Sequence, residues 1–154
     1  MKTFARHKRA SFDFELGKEY EAGIALRGFE VKAIRRGAAK LEGAHVVVRG
    51  GEAFLVGADI PPFQPSNTPP DYDPGRARRL LLSKKEIRET AALEARKGYT
   101  LIPTRLYEKS GKIKLAFSGA RGKKQYDKRE TLKKKEVARE VARALKHEAG
   151  RKAR

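Results

Sequence analysis

Apolar and polar positions change their period along this chain, and each change marks an element. Phe12-Asp-Phe-Glu-Leu16 alternates apolar and acidic side chains, the period of a half-buried strand. Tyr20 to Leu26 continues with Ala22, Ile24 and Leu26 on one face, where Gly23 allows close approach of a backbone. From Phe29 to Arg36 the period lengthens. Phe29 falls with Lys32 and Ala33, and Glu30 with Ile34, which predicts a short helix opened by Gly28 and stopped by Gly37. Ala44 to Arg49 and Glu52 to Ile60 predict two strands joined at Gly50-Gly51, a pair that supplies the positive φ of a tight hairpin. Pro61 to Pro74 holds six of the seven prolines, so it is an extended surface loop. Leu80-Leu-Leu82 leads into Ser83, which with Glu86 forms a capping box. The helix it opens runs to about Lys97, with Ile87, Ala91 and Ala95 inward and Gly98 at its end. Tyr99 to Glu108 and Lys112 to Phe117 predict a last hairpin around Ser110-Gly111.

Six short strands, one long helix and one or two short ones predict a mainly β fold with flanking helices. A six-stranded antiparallel OB-like barrel removes the exposed edges such strands would leave; an open α+β sheet is the alternative. Charge divides the chain further. Residues 1–10 carry four basic and no acidic side chains, residues 11–120 carry 19 basic and 14 acidic, and residues 121–154 carry 14 basic and 5 acidic. The expected organisation is therefore a basic N-terminal arm (1–10), an OB-like barrel (11–120) and a basic tail (121–154). A net charge of +18 on 154 residues calls for a polyanion, of which nucleic acid is the commonest. The plainer alternative is a soluble domain with solvated basic ends. Cysteine is absent, no apolar run reaches the roughly 20 residues of a membrane span, and no signal peptide is visible, so a cytoplasmic location is expected.

Catalytic chemistry finds little support. His7, His45 and His147 are far apart and have no cysteine partners, so no metal site or cofactor is expected. Gly119-Ala-Arg-Gly-Lys123 resembles half a phosphate loop but lacks the following Ser or Thr, and Asp71 and Asp73 read as turn residues. Contact chemistry remains. Lys8 and Arg9 lie on the arm, Lys32, Arg35 and Arg36 on the short helix, Arg76, Arg78 and Arg79 before the long one, and Lys123 and Lys124 at the start of the tail. In the tail, Val137, Val141 and Leu145 recur every four residues among Lys134, Arg139, Arg143 and Lys146. That stripe predicts an amphipathic helix, disordered when free because like charges oppose it and formed when they are neutralised. An ordinary terminal helix packed on the body is the alternative.

Several blocks in order resemble the small protein B (SmpB) family, the tmRNA-binding proteins of bacterial trans-translation. They are Tyr20-Glu-Ala-Gly-Ile-Ala-Leu26, Gly28-Phe-Glu-Val-Lys32, Arg35-Arg-Gly37, Gly51-Glu-Ala-Phe-Leu55, Asp73-Pro74, Arg78-Arg-Leu-Leu-Leu82, Lys97-Gly-Tyr-Thr-Leu101 and Ala120-Arg-Gly-Lys-Lys-Gln-Tyr-Asp-Lys-Arg129. The resemblance implies an oligonucleotide-binding barrel and an adaptor without enzymatic activity. The adaptor would bind the tRNA-like domain of tmRNA and be delivered with it, through elongation factor Tu, to a stalled ribosome. RNA contacts are implied at Glu21, around Lys32 and Arg35, and from Arg79 to Leu81. The tail is implied to enter the small-subunit decoding centre and the messenger path, with Tyr126, Asp127, Lys128 and Arg129 as its central motif and Lys133, Lys134, Arg139 and Arg143 beyond. Several positions depart from the family pattern. The arm reads His7-Lys-Arg-Ala-Ser-Phe12, Ala33 replaces a serine, and Tyr126 replaces a histidine, keeping a planar ring able to stack on a base.

Overall fold

In the computed structural model the chain is described over residues 2–123 and at 136, 139 and 141. The elements in order are β1 (Thr3–Arg6), α1 (Ala10–Asp13), β2 (Phe14–Ile24), α2 (Gly28–Arg35), β3 (His45–Arg49), β4 (Glu52–Val56), β5 (Arg78–Leu81), α3 (Lys84–Ala95), β6 (Tyr99–Lys109) and β7 (Lys112–Gly122). The chain divides into two units, residues 1–122 and residues 123–154.

Local sequence explains most of these elements. Gly50 and Gly51 take φ of 60° and 76° and close the β3–β4 hairpin, as their pairing predicts. Ser83 accepts a bond from the Glu86 backbone N–H, and the Glu86 side chain accepts one from the Ser83 backbone N–H, so α3 begins at the expected capping box.

The strands pair in the order β1-β6-β3-β4-β5-β2-β7, and β7 pairs again with β6. Strands β2 to β7 therefore close an antiparallel circuit of six, the OB-like architecture expected, with β1 added outside on β6. Its interior is filled by Leu41, Val46, Leu55, Ile60, Leu101, Leu106, Leu115 and Phe117, with the Tyr20 ring stacked on Phe117 at 5.5 Å between centroids. Ala33 and Ile34 of α2 join the same core.

Three local readings are corrected. Phe12 lies in α1, and the two strands expected over 12–16 and 20–26 are one strand, β2, whose register shifts between Leu16 and Glu19. Thr3–Arg6, within the expected arm, is strand β1. Strand β7 runs past Phe117 to Gly122, so Gly119-Ala-Arg-Gly122 is paired strand and not a phosphate loop.

Candidate nucleic-acid interface

The period of two along β5 sorts its four residues. Arg78 and Leu80 point into the barrel, while Arg79 and Leu81 point out. Leu81 is 54 % exposed, so it is not a core residue. Strand registers then place Leu81 beside Gly23, Gly23 beside Lys114, and Lys114 beside Tyr107, one row across four strands. A Cβ on Gly23 would lie 3.2 Å from the Leu81 Cβ, so the leucine leans directly over the glycine.

Glu21 stands one row along, next to Ala116. The small alanine lets the buried Tyr107 ring reach across β7, and its hydroxyl donates to Glu21 Oε2. Lys109 Nζ adds an ion pair at 3.2 Å. The Tyr107 hydrogen bond holds the Glu21 carboxyl below the usual range; partial desolvation opposes it, and Lys109 assists. Burial, and then the bond to Glu21, push the Tyr107 phenol well above its ordinary value. Glu21 is thus an ionised acceptor that orients a lysine on the outer face.

Helix α2 contributes cations in two directions. Arg35 pairs with Glu108 at 2.6 Å and donates to the Gly111 carbonyl, which places it beside the β6–β7 turn. Arg36 and Lys32 stand over the Phe63 ring of the proline loop at 4.4 and 5.7 Å from its centroid. Arg79 is exposed and lies 3.5 Å from Glu52. Glu21, Arg35, Arg79 and Leu81, scattered over some 60 positions of sequence, therefore border one outer region formed by β5, β2, β7 and α2.

Arg78 is corrected as an RNA contact. Its side chain and that of Glu30 are both 0 % exposed. The Arg78 guanidinium donates to Glu30 Oε2 at 2.9 and 2.8 Å and to the carbonyls of Ala58 and Pro74 at 3.0 and 2.9 Å. Arg76 pairs with the same carboxylate. The Tyr72 hydroxyl sits 3.0 Å from Glu30 Oε2 and 2.7 Å from the Ile60 carbonyl. Burial works against ionising Glu30, but Arg76, the Arg27 backbone N–H and Arg78 outweigh it and hold its pKa down to about 2. This network ties the proline loop to the first turn of α2, so Arg78 positions the basic helix from within. The sequence carries the signal. Glu30 shares a helix face with Ile34, which is buried, and Arg78 alternates with Leu80, which is buried.

Lys8 and Arg9 are exposed but stand elsewhere. Lys8 borders a cleft with β1, Gly37 and Lys40, and the Arg9 guanidinium lies over the Phe12 ring at 4.7 Å and 3.6 Å from Asp13. Lys123 is half-buried just beyond β7. Lys124, Tyr126, Asp127, Lys128, Arg129, Lys133, Lys134 and Arg143 lie outside the described residues. Arg139, with Glu136 and Val141, is helical and exposed. Among the described residues no three acidic or histidine side chains converge as metal ligands, and no helix is long and apolar enough to cross a membrane.

Comparison with known proteins meets this geometry from the other side. The family described as SmpB protein matches residues 4–147. The SsrA-binding protein of Nitrosomonas europaea is 48 % identical over 144 residues, covering 94 % of this chain and 95 % of its own length. Those of Rubrobacter xylanophilus and Cupriavidus necator are 47 % and 46 % identical, covering 95 % and 96 % of this chain and 97 % and 98 % of their own. A solved structure described as "tmRNA-SmpB: a journey to the center of the bacterial ribosome" superposes with a TM-score of 0.66 at 36 % identity, over 82 % of this chain and 92 % of that one. On sequence along nearly its whole length, and on fold, this chain belongs to the SmpB protein family.

Proposed function

We propose that this protein is an RNA-binding adaptor that binds the tRNA-like domain of tmRNA and brings it to stalled ribosomes for trans-translation. It acts in the cytoplasm, by binding and not by turnover. The observation that carries this reading is the outer region in which Glu21, Arg35, Arg79 and Leu81 meet, four positions at which the resemblance to the family implies RNA contacts. Cations there track phosphate, while an ionised carboxylate and an apolar side chain recognise more than charge. The supporting names are those of the relatives, SsrA-binding proteins, and of the tmRNA-SmpB ribosome structure.

The finer assignments belong to the same proposal. Elongation factor Tu meets the protein only through tmRNA. The tail, from Lys123 onward, is disordered in the free protein and becomes helical in the decoding centre and messenger path, where Tyr126 stacks on a base.

A reconstituted translation reaction stalled on messages without stop codons and supplied with tmRNA tests the proposal. Adding the full chain restores tagging of the stalled products. A chain ending at Gly122 retains RNA binding and restores none. Tagging by the shortened chain, or none by the full one, contradicts it.

A further inference from the structure

Strand β1 is an open edge of the sheet: among the described residues it pairs with β6 alone. Strand registers show which of its backbone groups β6 engages. Arg6 stands opposite Arg105, and the His7 N–H donates to the Thr104 carbonyl, so the N–H and C=O of Arg6 turn away from β6. Thr3 stands opposite Tyr107, and the Glu108 N–H donates to the Lys2 carbonyl, so the N–H and C=O of Thr3 turn away as well. Phe4 and Ala5, at the register shift, separate the two outward pairs.

A cleft of about 680 Å³ runs beside this edge. Every residue from Thr3 to Arg6 lines it and no residue of β6 does. The face of a strand would present alternate residues only, so the cleft lies along the edge. The loop after α2 lines the rest through Gly37, Ala39 and Lys40, and a Cβ on Gly37 would meet nothing within 4 Å. Exposed Arg6, Lys8 and Lys40 border the cleft against a single carboxylate, Glu42. None of these three cations has an ion-pair partner among the described residues. The cleft shares no lining residue with the region of Glu21, Arg35, Arg79 and Leu81.

An open edge is a template for one more strand, because it offers both donors and acceptors of backbone type. A phosphate backbone supplies acceptors only and would set anionic oxygens against the outward carbonyls. Charge then selects among peptides. The chain's own residues 121–154, with 14 basic side chains against 5 acidic, are repelled by this border. Pairing β1 with β1 of a second copy would crowd Arg6 and Lys8 against their like. We propose that β1 docks an extended acidic segment of another protein, which adds as a strand at this edge and lays its carboxylates on Arg6 and Lys40. The proposal stands independently of the RNA-binding reading.

The probe is a short peptide of alternating glutamate and valine, titrated into isotope-labelled full-length protein and followed by NMR. Binding shifts the Thr3 and Arg6 amides and slows their hydrogen exchange. A peptide of alternating lysine and valine binds more weakly by about tenfold. Thr3→Pro deletes one outward N–H while leaving the β6 pairing and the net charge in place, and weakens the acidic peptide about fivefold. Lys40→Ala weakens it by up to about fivefold. Both variants melt at the wild-type temperature, so the lost binding is not lost folding. Unmoved Thr3 and Arg6 amides at millimolar acidic peptide overturn the proposal. So do shifts confined to residues 123–154, the result expected if the basic tail merely attracts acidic peptides. A plain RNA oligonucleotide that displaces the peptide and itself shifts Thr3 and Arg6 would assign the cleft to RNA and overturn it too.

Discussion

At the scale of single residues, the two arginines of β5 separate position from contact. Removing Glu30 leaves the buried Arg78 guanidinium without its counter-charge, so Glu30→Ala costs about 3–5 kcal/mol of stability; Arg78→Ala is also destabilising but costs less, because Arg76 still pairs with the Glu30 carboxylate. Arg79→Ala costs little stability, because its partner Glu52 is exposed, but it removes a cation from the outer face. Thermal melts beside RNA titrations at several salt concentrations distinguish the two. Arg79→Ala lowers the salt slope, whereas Arg78→Ala, measured where it is folded, leaves the slope at its wild-type value. A lowered slope for Arg78→Ala contradicts the buried assignment. Glu30 also fixes an acid limb. Its folded pKa of about 2 lies below its ordinary 4.5, so its stabilisation is complete above pH 4.5 and is lost as pH falls toward 2. Urea unfolding between pH 5 and 2 detects this as a loss of stability that is smaller in Glu30→Gln. Glu21→Ala frees the Tyr107 hydroxyl and Lys109 and weakens RNA binding even though it raises the net positive charge. Unchanged or tighter binding would leave Glu21 as an ordinary strand residue.

At the scale of elements, periodicity reads the long and regular segments well and the short charged ones poorly. The β3–β4 hairpin, the β6–β7 hairpin and α3 lie where Gly-Gly, Ser-Gly and Ser-x-x-Glu place them. Six strands are expected and six close the barrel, but the two sets differ. The shift of register between Leu16 and Glu19 breaks the alternation, so one bulged strand reads as two. Strand β5 escapes because its alternation is Arg-Arg-Leu-Leu, where charge hides the inward Arg78. The edge strand β1 is four residues long and has a single neighbour, β6, so its short sequence carries little pattern. The outer region suffers likewise. Its cations are visible as clusters, but the row joining Leu81, Gly23, Lys114 and Tyr107 exists only through strand registers. Helix α3 lines a cleft beside Arg79 and Leu81 and depends on its cap. Ser83→Ala destabilises the protein by about 1 kcal/mol, seen as a lower urea midpoint at unchanged m.

At the scale of the whole molecule, charge and specificity lie in different places. Residues 121–154 hold 14 of the 37 basic side chains, enough to bind any polyanion. The outer region of the first unit mixes cations with Glu21 and Leu81, a composition that charge alone does not require. Tyr126→Ala reduces tagging and Tyr126→His is mild if the ring stacks on a ribosomal base; wild-type tagging by Tyr126→Ala removes that role. The central claim is that the protein recognises one RNA and not RNA at large. Full-length protein bound to labelled tRNA-like domain of tmRNA is titrated with unlabelled plain tRNA at near-physiological salt. The account predicts that plain tRNA displaces the label only at an excess on the order of a hundredfold or more over the unlabelled tRNA-like domain. Displacement by both RNAs at equal concentration would make this protein a general basic RNA binder and contradict the account.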